Sequence, residues 1–170
     1  MLSERRSIMT VDGRLPHILV VNDSQEIIDL LQELLEEEGY RVSTSITILN
    51  LAKVKAIAPD VIVQDVMFEG THETGWKFLT MSRLDRDLKR IPLVLCTTAI
   101  TTVKDPDMAM QLKTLGVRVV LKPFEIDQLL TAIEEAIAGA EVASTVTRLA
   151  PKRTSRDGPS VSIQTGDGTS

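Results

Sequence analysis

Asp60-Val61-Ile62-Val63-Gln64-Asp65 is a short run of β-branched residues that ends on a carboxylate. Its apolar residues are continuous rather than alternating, which marks a strand covered on both faces, as in a parallel sheet. An unpaired carboxylate at the end of such a strand is costly. Asp65 therefore calls for a cation, a metal or a reacting group beside it.

The same kind of run recurs on either side. His17-Ile18-Leu19-Val20-Val21, Leu93-Val94-Leu95-Cys96-Thr97 and Val117-Arg118-Val119-Val120-Leu121 all read as strands, and Tyr40-Arg41-Val42-Ser43 as a weaker one at an edge. Helical spacing fills the intervals. Ile27, Leu31, Leu34 and Leu35 give a helix over 24–38, capped by Asp23 or Ser24 and ended by Gly39. Ile48, Leu51, Ala52 and Lys55 give a short one stopped near Pro59, and Trp76, Phe78, Leu79 and Leu84 another. Asp105-Pro106 opens a helix that stops at Gly116. Ile126, Leu130, Ile133 and Ile137 mark a last helix, ending near Gly139. Five strands alternating with helices predict an α/β fold: a doubly wound parallel sheet with helices on both faces.

Residues 1–16 read as a flexible extension, 17–139 as the domain, and 140–170 as a disordered tail rich in Ser and Thr. The tail leaves no room for an output domain, so a stand-alone domain is expected. The net charge of −5 speaks against nucleic acid as a partner. No apolar run reaches the length of a membrane span. The single cysteine, Cys96, excludes an internal disulfide and fits a reducing, cytoplasmic setting. Cys96 itself reads as a small buried hydrophobe. His17 and His72 lack partners at metal-ligand spacing.

In a parallel α/β sheet, ligands bind beyond the carboxyl ends of the strands. Those ends carry Asn22-Asp23, Asp65, Thr97-Thr98 and Lys122-Pro123. Two carboxylates suit Mg²⁺, and a hydroxyl with an ammonium suits phosphoryl oxygens. An aspartate can accept a phosphoryl group as an acyl phosphate.

Asn22-Asp23, Asp65, Thr97 and Lys122-Pro123-Phe124 resemble the signature of response-regulator receiver domains of two-component signalling, over residues 17 to about 139. The resemblance implies a flavodoxin-like fold with strand order 2-1-3-4-5. It implies Mg²⁺-dependent transfer of a phosphoryl group to Asp65 from a histidine kinase or phosphotransfer protein. Mg²⁺ would be held by Asp23, Asp65 and the backbone carbonyl of Met67, with Asn22 reaching it through water. Thr97 would be the switch hydroxyl, with Thr98 its rival, Lys122 would pair with the phosphoryl group, and Lys122–Pro123 would be cis. The same resemblance implies a bacterial-type signalling protein rather than an enzyme, at most catalysing its own phosphorylation and dephosphorylation. Output would pass through protein contacts of the last two helices and last strand, to a target protein or a second copy.

The sequence departs from the family pattern in four places. Asn22 replaces an acidic residue, Glu69 replaces a common proline, the loops after Asp65 and Thr97 are long, and Val119 stands where a switch aromatic is usual. Asn22 and Val119 favour an alternative, a receiver-like binding module independent of phosphorylation. A flavodoxin-like enzyme or cofactor carrier is disfavoured, because Asn22-Asp23-Ser24-Gln25 is not a glycine-rich phosphate loop.

Overall fold

The structure is a computed structural model that describes residues 13–65, 72–98 and 104–149. Five strands form one sheet: β1 (His17–Val21), β2 (Arg41–Ser45), β3 (Val61–Asp65), β4 (Leu93–Thr97) and β5 (Val117–Leu121). Their order is β2-β1-β3-β4-β5 and every pairing is parallel. Among the described residues five helices connect or follow them: α1 (Gln25–Glu37), α2 (Leu51–Ile57), α3 (His72–Leu84), α4 (Pro106–Thr114) and α5 (Ile126–Leu149). A 3-10 turn at Leu88–Arg90, which the sequence reading did not anticipate, precedes β4.

The pleat divides the apolar strand residues between two layers. Ile18, Val20, Val61, Val63, Val94, Cys96 and Val120 pack with Leu31 and Leu35 of α1 and Leu129, Ile133 and Ile137 of α5. Leu19, Val21, Ile62, Leu93, Leu95 and Val117 pack with Val54 of α2, Phe78 and Leu79 of α3 and Leu112 of α4. Both faces of β3 are covered, which is why its sequence does not alternate. Each fully buried aliphatic side chain contributes about 1.5–3 kcal/mol relative to exposure.

Two boundaries correct the sequence reading. The last helix does not end near Gly139 but continues to Leu149, so residues 140–149 of the expected tail are helical. Gly139 is followed by Ala140-Glu141-Val142-Ala143, which prolong a helix, and an internal glycine costs only about 1 kcal/mol. The end of the N-terminal extension is also fixed. Arg14 pairs with Asp60, and the carbonyl of the buried Pro16 accepts a hydrogen bond from the Arg41 amide. Residues 1–12 and 150–170 lie outside the described residues.

Candidate functional site

Because all five strands run the same way, their carboxyl ends share one edge. Register then decides which side chains meet. Val21 of β1 pairs with Gln64 of β3, so Asn22 lies one step on, beside Asp65. Cys96 of β4 pairs with both Asp65 and Val120, and Thr97 pairs with Leu121. Lys122 is the next residue along β5, and its amide donates to the Thr97 carbonyl at 2.8 Å. The Lys122–Pro123 peptide is cis.

At this edge Asp65 is the hub. Its side chain is 7% exposed. Oδ2 accepts from Asn22 Nδ2 at 2.8 Å and is ion-paired with Lys122 Nζ. Oδ1 is buried and has no hydrogen-bond partner among the described residues. A buried carboxylate oxygen in that condition costs free energy until something cationic or hydrogen-bonding meets it. The negative charge is felt next door. Burial, then the charge of Asp65, push the Cys96 thiol up to about 12.

Asn22 is buried and doubly used: besides donating to Asp65, its Oδ1 accepts from the Ser24 amide at 2.8 Å. That bond folds the turn that starts α1. Ser24, not Asp23, caps the helix, through Oγ to the Ile27 amide. Asp23 is exposed, and its carboxylate makes no hydrogen bond or ion pair among the described residues. Helix capping therefore does not account for it. Thr97 is fully buried at the end of β4, whereas Thr98 beyond it is exposed. Met67 lies outside the described residues, as do Glu69, Gly70 and residues 99–103.

Mg²⁺ can be weighed against this donor set. Among the described residues, no group of three or more His, Cys, Asp or Glu is placed to hold a metal. Mg²⁺ does not need one, because it keeps several waters and takes one or two carboxylates. The unpartnered Oδ1 of Asp65 and the uncommitted carboxylate of Asp23 are hard oxygen donors of that kind, so the residues fit.

Two polar features near this edge were not singled out by the sequence. Gln64 is 1% exposed, and its Nε2 has no acceptor among the described residues. Position in an apolar run was its only signal. The contact from Asn22 to Asp65 was equally hidden, since it depends on the register between β1 and β3.

Comparison with known proteins adds to this geometry. Residues 18–134 match the family model of the response regulator receiver domain. The chain is 29% identical over 119 residues to hybrid signal transduction histidine kinase D of Dictyostelium discoideum, a match covering 69% of this chain and 7% of that protein. It is 30% identical over 113 residues to the uncharacterized transcriptional regulatory protein YbdJ of Bacillus subtilis, covering 66% of this chain and 47% of that one. The chain thus spans less than half the length of these curated relatives. Among solved structures it is similar to the chemotaxis protein CheY4 of Vibrio cholerae. The TM-score is 0.57 and the identity 26%, over 72% of this chain and 99% of that one.

Proposed function

The chain belongs to the response regulator receiver domain family, and we propose that it accepts a phosphoryl group on Asp65, in a Mg²⁺-dependent reaction, from a histidine kinase or phosphotransfer protein. Receiver domains are signalling domains of two-component systems, and such kinases and phosphotransfer proteins are their partners. The observation that carries the proposal is the state of Asp65. It is a buried strand-end carboxylate whose Oδ2 is fixed by Asn22 and Lys122 while Oδ1 is left open.

The chemistry rests on that arrangement. A carboxylate oxygen of Asp65 attacks the phosphorus of a phosphohistidine. The P–N bond breaks, an acyl phosphate forms, and the released imidazole takes up a proton. Lys122, already at the carboxylate, offsets charge on the transferring oxygens. Thr97 supplies a hydroxyl at the end of the adjoining strand. Asp23 and Asp65, with the Met67 carbonyl, would hold Mg²⁺. When bound, the metal neutralises charge on the phosphoryl oxygens. The acyl phosphate would bias a two-state equilibrium read by a partner protein. We place this chain in the cytoplasm as a receiver that signals through the surface of α4, β5 and α5, to a target protein or a second copy. Among the described residues no helix is long and apolar enough to cross a membrane.

The test is to incubate the purified protein with Mg²⁺ and acetyl phosphate and to measure its intact mass. A gain of one phosphoryl group, absent without Mg²⁺ and absent in Asp65→Asn, is expected. Absence of any Asp65-dependent gain would overturn the proposal. A second reading, a binding module independent of phosphorylation, is favoured by one observation: Asn22 already spends both ends of its amide on Asp65 and Ser24. Full partner binding by Asp65→Asn would select it.

A further inference from the structure

At the other end of the sheet lies a cavity of about 600 Å³, which the phosphoryl chemistry does not use. It opens between the amino-terminal ends of β4 and β5 and the second half of α5. The strands are five residues long, so it lies about 17 Å from the carboxyl edge. Pro92, Leu115 and Val117 form one apolar wall, and the α5 face of Ala136, Gly139 and Ala140 forms the other. Ala140 belongs to that second wall because α5 continues past Gly139.

Charge in this cavity is one-sided. Arg83 of α3, Lys89 and Arg90 of the 3-10 turn and Arg118 of β5 all line it. Among the described residues the one acid in the lining, Glu135, is already paired with Arg118 at 2.5 Å. Lys89 and Arg90 are exposed, and their side chains make no ion pair among the described residues. The chain as a whole carries a net charge of −5, so this local excess of cations runs against the molecule's balance.

Arg83 is the informative member. Its guanidinium donates to the carbonyls of Ile91 at 2.8 Å, Lys89 at 3.2 Å and Leu115 at 3.4 Å. These neutral acceptors fix the fork in place but do not neutralise it. No carboxylate meets it among the described residues, and its Nε is buried without an acceptor. A half-buried guanidinium with no carboxylate beside it is stabilised by an oxyanion that reaches it.

We propose that this cavity is a binding site for a small amphipathic anion, with an oxyanion group directed to Arg83, Lys89 and Arg90 and an apolar body lying against α5. The volume is that of small-molecule sites, and apolar walls with a few convergent polar groups are their usual make-up. The site is separate from Asp65 and does not depend on the phosphoryl-transfer reading.

The full chain, labelled with ¹⁵N, would be titrated with anilinonaphthalene sulfonate as the probe, read by fluorescence and by the Nε–Hε resonance of Arg83. Saturable binding of one equivalent with displacement of that resonance is expected. Because Arg83 also ties three carbonyls together, the exposed Lys89→Gln/Arg90→Gln double variant carries the comparison, with affinity lowered about tenfold or more. Non-saturating fluorescence, an unmoved Arg83 resonance or undiminished affinity in the double variant would each overturn the proposal. So would binding of an acidic peptide that leaves the Arg83 resonance in place, which would make the rim a protein contact instead.

Discussion

His17 opens β1 and Asp65 closes the neighbouring β3, and each is a buried polar group whose state is set by the adjoining strands. Arg41 of β2 donates to His17 Nδ1 at 2.7 Å, so the ring proton sits on Nε2, which donates to Ser43 Oγ at 2.8 Å. Burial, then the charge of Arg41, hold the His17 pKa below its usual 6.5, against an opposing pull from Asp60. The unfolded chain therefore takes up a proton near pH 6.5 that the folded chain refuses. His17's contribution is fully present above that pH and is lost as pH falls through 6.5 towards the folded value. The urea midpoint should drop between about pH 7.5 and pH 5.5, and by less in His17→Gln. Equal drops in the two proteins would remove His17 as the cause. At this scale the sequence was uneven as a guide. Asp65 and Lys122 were legible because strand ends of a parallel sheet must converge. The dual use of Asn22 was not, because it needs the register of two strands. The choice of Ser24 over Asp23 as cap was undecidable from two adjacent residues that both cap well.

Whether a glycine ends a helix depends on the residues after it. Gly39 and Gly116 have φ of +92° and +69°, and each precedes a strand, so the chain must leave the helix there. Gly116 donates to the Lys113 carbonyl in the manner of a C-terminal cap. Gly139 precedes helix formers and lies inside α5, which is why reading all three as stops failed at the third. The same substitution should then have opposite effects at two of these sites. A Cβ on Gly139 meets nothing within 4 Å, so Gly139→Ala should stabilise the protein by up to about 1 kcal/mol. Gly116→Ala also finds open space, but its left-handed backbone should make it destabilising by about 1 kcal/mol. Urea midpoints of both variants check this. A loss of stability in Gly139→Ala would indicate that α5 is not continuous past residue 139 in solution.

Across the whole molecule, burial and chemistry are arranged along different axes of the same sheet. The two apolar layers lie above and below it, and they were legible because core positions in strands and helices follow simple periods. The polar groups gather at its ends, where the outcome rests on loops that periodicity does not describe. At the carboxyl edge the folded chain brings Asp23, Asp65 and Lys122 to one rim, which an unfolded chain cannot do. A cation that needs this convergence must bind the folded state alone, and mass action then raises stability with its concentration. Mg²⁺ at a hundredfold above its dissociation constant should add about 2.7 kcal/mol. A melting temperature that climbs with Mg²⁺ is expected for the wild type, with no climb in Asp65→Asn. Asn22→Asp should steepen the dependence, because a carboxylate would replace a neutral amide that now donates to Asp65. The same substitution should lower stability without metal, since it sets a second negative charge against Asp65 where a hydrogen bond had been. A Mg²⁺ response equal in all three proteins would place the ion elsewhere, and the open oxygen of Asp65 would then need a different partner.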